Sequence, residues 1–165
     1  MTAMARAQQD LALRLEIEEL YTEYAHVLDN FELEQWPEFF TDDCLYQIVS
    51  RENRERGLPL ALMRCESKAM LADRVVTIRQ TQMFAPRALR HLVSSLRIAP
   101  PASADGVDVQ ANYAVLQTLV DDETRILSAG RYIDRLVRDG DALKFKSRTC
   151  VYDTVMVPNS LIYPL

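Results

Sequence analysis

The sequence predicts an α+β domain in which N-terminal helices pack in a strongly curved, mainly antiparallel sheet. Residues 7–30 and 67–80 carry apolar side chains at the three- and four-residue spacing of amphipathic helices. The second half changes to the alternation of strands, over residues 90–98, 107–120, 125–138 and 142–157. Helices followed by a run of long strands favour the α+β class, with the sheet curling around the helices. At 165 residues the whole chain, 1–165, is expected to form one domain.

Each helix and strand has its own local signals. The apolar face of the first helix is formed by Leu11, Leu13, Ile17, Leu20, Tyr21, Tyr24 and Leu28. Ser67 can cap the second helix, and Pro86 closes the loop after it. Turn-forming residues separate the four strands, at Pro100 and Pro101, at Asp121 and Asp122, and at 139–141. Between the two helices, 51–57 is a polar stretch, and 60–64 is expected to form one short strand.

Residues 35–46 are the most informative stretch of the chain. Pro37 suits the first turn of a short helix, and three aromatic side chains share one face of that helix: Trp36, Phe39 and Phe40. A turn is predicted at 41–43, followed by a strand in which Cys44, Tyr46 and Ile48 point to one side. The three aromatic residues could line a ligand pocket, but they are more often core or interface anchors.

Composition excludes several classes of function. The net charge is −5, with basic and acidic residues interspersed, so no basic stripe exists for a nucleic-acid partner. No run approaches the roughly 20 apolar residues that span a bilayer, and the first ten residues lack the apolar core of a signal peptide. No membrane partner and a cytoplasmic location are therefore expected. The three cysteines form no CxxC pair, which favours buried free thiols over a disulfide framework or a zinc site.

Residues 35–46, preceded by the helix at 24–30, resemble the opening of NTF2-like (cystatin-like) cone domains. Within that superfamily the chain looks most like the small (beta) subunit of aromatic-ring-hydroxylating oxygenases, the Rieske non-haem iron dioxygenases. Further landmarks of the resemblance are 70–75, 90–94, 130–132 and 150–154. The ending 161–165 is similar to the branch whose large subunits act on carboxylated rings such as salicylate or terephthalate.

The resemblance implies a non-catalytic subunit without its own cofactor, in the degradation of aromatic compounds. In this family the large (alpha) subunit carries a Rieske [2Fe–2S] cluster and a mononuclear non-haem iron. The usual assembly is an α3β3 hexamer, which implies a homotrimer of small subunits. The number of possible metal ligands agrees with a subunit that lacks both iron sites. A Rieske centre takes two Cys and two His, and the facial triad takes two more His and a carboxylate. This chain has only His26 and His91, and neither has a cysteine two or three residues before it.

Two other functions are compatible with these residues. A free-standing NTF2-like isomerase or dehydratase would use His91 as a general base, oriented by Asp29 or Tyr46. An NTF2-like binding module would need only the fold and an exposed sheet face. The plainer interpretation of His91 is a strand histidine that is hydrogen-bonded at a subunit interface, and His26 is expected to cap or pair at the end of the first helix. A solvated outer sheet face or an interface is expected to hold most of six arginines: Arg87, Arg90, Arg97, Arg131, Arg135 and Arg148.

Overall fold

The computed structural model describes residues 3–80, 85–100, 106–154 and 161–165. Its three α-helices are α1 (Ala3–Asp29), α2 (Arg51–Glu55) and α3 (Lys68–Gln80), and a 3₁₀ helix spans Leu33–Phe39. The six strands are β1 (Phe40–Ser50), β2 (Met63–Cys65), β3 (Arg87–Ile98), β4 (Val107–Leu119), β5 (Arg125–Asp139) and β6 (Ala142–Tyr152). None of the described helices combines the length and the hydropathy needed to span a bilayer.

The six strands form one mixed sheet in the order β2-β1-β6-β5-β4-β3. The consecutive strands β3, β4, β5 and β6 pair antiparallel with one another, so the predicted meander is confirmed. β1 pairs parallel with β6 and antiparallel with β2. The predicted α+β class with a mainly antiparallel sheet is therefore confirmed.

Helix α1 packs on the inward face of the sheet through Ile17, Tyr21, Tyr24 and Leu28, as its apolar periodicity predicts, whereas Leu11 of the predicted apolar face is exposed. The core combines side chains from α1, α3, the 3₁₀ helix and the inward positions of the strands, including Ile17, Tyr24, Leu71, Trp36, Val115 and Phe145. Ser67 caps α3 as expected, because its hydroxyl accepts the N–H of Met70 at 3.3 Å. The three cysteines are free and buried, in agreement with the prediction from their spacing.

The predicted turn at 41–43 is wrong, because β1 begins at Phe40 and runs through these residues. Four residues of β1, 41–44, lie opposite the single residue Lys146 of β6, so the extra length is taken up by a bulge. Asp42 and Asp43 lie in an exposed part of β1, which suits their polar side chains. Asp43 forms an ion pair with Lys146. Turn-type residues here mark an irregular strand rather than its end.

Other boundaries also differ from the prediction. The short strand is Met63–Cys65 rather than 60–64, and β3 begins at Arg87 rather than residue 90. Helix α2 replaces the predicted polar stretch, and the Ser50 hydroxyl caps it by accepting the N–H of Asn53 at 3.1 Å. β6 ends at Tyr152, and the predicted extension over 155–157 lies outside the described residues.

Candidate functional site

His91 and Asp29 meet where helix α1 ends against the edge strand β3. The Asp29 carboxylate accepts the main-chain N–H of His91, at 3.0 Å and 3.1 Å from its two oxygens. Nδ1 of His91 lies 2.6 Å from Oδ1 of the same carboxylate. Asp29 therefore satisfies a main-chain amide of the sheet edge and also sets the orientation of the imidazole.

The structure does not bring Tyr46 to this pair, so the prediction that Tyr46 could orient His91 is wrong. Tyr46 lies on β1, and strands β6, β5 and β4 separate β1 from β3. The His91 side chain is fully buried, and its Nε2 has no hydrogen-bond partner among the described residues. A cleft of about 570 Å³ runs between α1 and β3 beside it. Because the imidazole is shielded from solvent, its arrangement with Asp29 fits a structural link better than a general base.

A buried ion pair occupies the middle of the inward sheet face. Nε of Arg148 on β6 lies 3.2 Å and 3.1 Å from the two carboxylate oxygens of Asp134 on β5, and Nη2 lies 2.7 Å from Oδ2. Both side chains are 0% exposed. The hydroxyl of Tyr21 on α1 donates to the same carboxylate. The expectation of a solvated outer face is wrong for Arg148.

Aromatic rings surround the Arg148 guanidinium. Its central carbon lies 3.9 to 4.8 Å from the ring centroids of Phe145, Tyr24, Tyr132 and Tyr21. Burial raises the pKa of the Asp134 carboxyl, and attraction to Arg148 opposes that rise. Burial also raises the pKa of Tyr21 well above its usual value, which keeps this hydroxyl protonated as a donor. The cluster cross-links α1, β5 and β6 inside the domain.

The 161–165 segment fills the neighbouring part of the same interior. The main-chain oxygen of Leu165 accepts hydrogen bonds from Tyr24 Oη at 3.0 Å, Tyr46 Oη at 3.4 Å and Cys150 Sγ at 3.5 Å. The N–H of Leu165 donates to Tyr46 Oη at 2.8 Å. The Leu165 and Ile162 side chains are also buried. The part of the interior between Tyr24, Tyr46 and Cys150 is therefore occupied by the chain itself.

Comparison with known proteins agrees with this architecture. A family model described as the SnoaL-like domain matches residues 9–149. The anthranilate 1,2-dioxygenase small subunit of Burkholderia cepacia is 39% identical over 163 residues, which cover 98% of this chain and 100% of that relative. The chain is a SnoaL-like small (beta) subunit of the aromatic-ring-hydroxylating dioxygenase family.

Two further matches support the assignment. The beta subunit of an aromatic-ring-hydroxylating dioxygenase from Novosphingobium aromaticivorans DSM 12444 superposes with a TM-score of 0.86 at 43% identity. That match covers 94% of this chain and 99% of the other. The beta 2 subunit of the terephthalate 1,2-dioxygenase terminal oxygenase component from Comamonas sp is 28% identical, over 86% of this chain and 92% of the relative. The family resemblance of the sequence is thereby confirmed.

The aromatic residues of 35–46 belong mainly to the interior of this small subunit. Trp36 and Phe40 are fully buried, whereas Phe39 is half-buried and contacts the Tyr24 ring edge at 5.5 Å between centroids. Nε1 of Trp36 donates to Tyr24 Oη at 3.1 Å, and the Trp36 ring meets Tyr46 edge-on at 5.1 Å. Trp36 thus supports the two tyrosines that hold Leu165.

The described part of this small subunit contains no group of three or more His, Cys, Asp or Glu side chains placed to hold a metal ion. His26 lies at the end of α1, where Nε2 is 2.9 Å from Nδ2 of Asn30, one helical turn away. His26 and His91 are thus both engaged in local contacts within the fold, and His91 lies beside Asp29 rather than beside His26.

The three residues joined by the buried ion pair of this small subunit, Tyr21, Asp134 and Arg148, are not among the predicted site residues. The sequence contains one signal for Asp134. Alternate residues of a strand face the same side, so Asp134 is expected to point inward with Tyr132 and Leu136. For Arg148 the alternation of strand residues does not indicate an inward position. Lys146 has no counterpart in β5, and this bulge shifts the inward positions of β6 from Leu143 and Phe145 to even-numbered residues.

Proposed function

We propose that this small subunit acts without a catalytic group of its own, by supporting the assembly of iron-containing large (alpha) subunits in a cytoplasmic enzyme that degrades aromatic compounds. The proposed complex is an α3β3 hexamer built on a trimer of small subunits. One observation carries the proposal: the chain is 39% identical to a dioxygenase small subunit over 98% of its own length and the whole length of that relative. Within the described residues, the imidazole of the His91–Asp29 pair is buried, which does not suit a general base.

The cofactors of this enzyme are proposed to reside in the large subunit. A Rieske [2Fe–2S] centre and a mononuclear non-haem iron together need four histidines, and this chain has two. The contribution of the small subunit is then positional. A rigid trimeric base holds neighbouring large subunits at a constant separation, and the cross-links among α1, β5 and β6 supply that rigidity.

An aromatic ring that carries a carboxylate is the proposed substrate of the assembled enzyme. The support is chemical, because the relatives are named for anthranilate and terephthalate, and both compounds are aromatic carboxylic acids. Substrate contacts are assigned to the large subunit. The small subunit would influence substrate range only through the geometry that it imposes.

Native mass spectrometry tests the proposal directly. The chain would be measured alone and after co-expression with its large subunit. A metal-free trimer alone and an α3β3 complex together are the expected result. A monomer or dimer that does not associate with the large subunit would contradict it and favour the free-standing isomerase, dehydratase or binding module. Turnover of an aromatic acid by the complex, with none by the small subunit alone, completes the test.

A further inference from the structure

An apolar stripe on the outer side of helix α1 is left uncovered by the fold. Met4, Leu11 and Leu15 are 75%, 56% and 57% exposed, although the same helix packs on the sheet through Ile17 and Tyr21. Leu15 and Ile17 are two positions apart and therefore lie on opposite sides of the helix, so the stripe is separate from that packing. These three exposed side chains form a surface of their own, which we call the α1 seam.

The spacing of the α1 seam is that of helices that pack side by side. The steps are seven residues from Met4 to Leu11 and four from Leu11 to Leu15, which correspond to two successive d positions and the next a position of a heptad repeat. Gln8 takes the a position between Met4 and Leu11, and a polar residue at a single a position fixes the register of such contacts. The α1 seam therefore fits another α-helix.

The charges beside the α1 seam suit a parallel neighbour of the same sequence. In this heptad register Arg14 occupies a g position and Glu19 the following e position, the two positions that pair between neighbouring parallel helices. Glu19 is exposed and has no ion pair among the described residues, whereas Nε of Arg14 lies 2.9 Å from Oε1 of Glu18. A guanidinium has five N–H donors, so Arg14 can bind Glu18 of its own helix and Glu19 of the next copy together.

We propose that the α1 seam is the contact through which three copies of this small subunit associate, with their α1 helices parallel around the threefold axis. The inference rests on the proposed trimer and names the surface that forms it. Residues at a threefold axis meet their own copies, so a single seam on each chain is sufficient. The helices diverge beyond Leu15, where Ile17 and Tyr21 hold each one against the sheet of its own domain.

Sedimentation velocity of the full chain tests the α1 seam with two matched substitutions. Leu15→Lys places three like charges near the axis, and Val76→Lys is the control, because Val76 is 50% exposed on α3. Both side chains are exposed in the single chain, so neither change should lower its melting temperature. We expect Leu15→Lys to raise the concentration at which half of the trimer dissociates by at least about 100-fold, and Val76→Lys to leave it within about twofold.

Charge reversal tests the orientation of the helices. Arg14→Glu and Glu19→Arg should each raise the concentration of half-dissociation by about three- to tenfold, because each places like charges side by side across the contact. A double variant with both changes exchanges the two charges and should return the value to within about twofold of the unchanged chain. Antiparallel helices would not show this recovery, because Arg14 would no longer lie beside Glu19.

The outcomes separate this inference from the proposed function. A trimer that is as stable with Leu15→Lys as with Val76→Lys overturns the inference and leaves the proposed assembly intact, and so does a double variant without recovery. Loss of large-subunit binding by a Leu15→Lys trimer that stays intact would assign the α1 seam to that partner, which also overturns the inference.

The complex supplies the remaining comparison. If the chain trimerises only together with its large subunit, the same variants are compared in that complex by native mass spectrometry. An α3β3 complex that Leu15→Lys leaves unchanged is then the overturning result. A chain that forms no trimer, alone or with the large subunit, overturns the proposed function and this inference together.

Discussion

Removal of one partner from the buried Arg148–Asp134 pair should destabilise the domain strongly. Arg148→Met removes three N–H···O contacts to Asp134 and leaves that carboxylate fully buried with only the Tyr21 hydroxyl as donor. We expect this change to lower the free energy of unfolding by about 3–5 kcal/mol, the usual cost of an uncompensated buried charge. Asp134→Leu should cost a similar amount, because it leaves the guanidinium without its carboxylate.

The double variant distinguishes charge burial from loss of packing. When both charges are replaced by apolar side chains, neither is left unpaired, so the total loss should be about 3 kcal/mol smaller than the sum of the single losses. Tyr21 loses its acceptor in the double variant, and Tyr21→Phe can be added to remove that contribution. Arg56→Met is the control, because the Arg56–Glu52 pair is about two-thirds exposed and should contribute less than about 0.5 kcal/mol.

Urea denaturation followed by far-UV circular dichroism gives these free energies. The slope of the free energy of unfolding against urea concentration should be the same for all variants. A shift in the midpoint of the transition then reports a change in stability alone. Additive losses in the double variant would refute the reasoning, because they would show that the two residues contribute independently. A single variant as stable as the Arg56→Met control would refute it as well.

Four further predictions concern other parts of the chain. Trp36→Ala should lower the free energy of unfolding by about 3–5 kcal/mol, as for other truncated core aromatics, and an unchanged melting temperature would contradict the placement of Trp36 in the core. His91→Ala should preserve turnover by the assembled enzyme, and loss of turnover with the hexamer intact and iron fully loaded would contradict a structural role. Burial raises the pKa of the Cys44 thiol to about 11 and that of Cys150 to about 12, so thiol reagents at pH 8 should label the cysteines only after unfolding. Labelling at the same rate in the folded chain would count against this. Gly130→Ala should prevent stable pairing of β5 with β6, because its Cβ would lie 1.9 Å from the Val151 main-chain oxygen, whereas Gly140→Ala meets no atom within 4 Å and should cost about 1 kcal/mol; equal melting temperatures for the two would contradict the close approach.

Local signals in the sequence predicted most of the secondary structure. The Ser67 cap, the 3.6-residue periodicity of α1 and α3, and the turn residues between the long strands all depend on neighbours in the chain. The same reasoning failed at 41–43, where turn-type residues lie in an irregular strand, and at α2, which is too short to show an apolar period. At 41–43 the outcome depends on how β1 pairs with its neighbour, and at 51–55 it depends on a helix of only five residues. A local sequence pattern indicates neither.

The sequence by itself determined the fold class, the long antiparallel strands, the family and the lack of histidines for two iron sites. Only the tertiary structure decided that Arg148 lies in the core, that Asp29 rather than Tyr46 meets His91, and that Leu165 fills the interior. The physical reason is distance along the chain. The Tyr24–Leu165 and Tyr21–Asp134 contacts join residues more than a hundred positions apart, and a bulge of one residue at Lys146 determines which β6 side chains point inward.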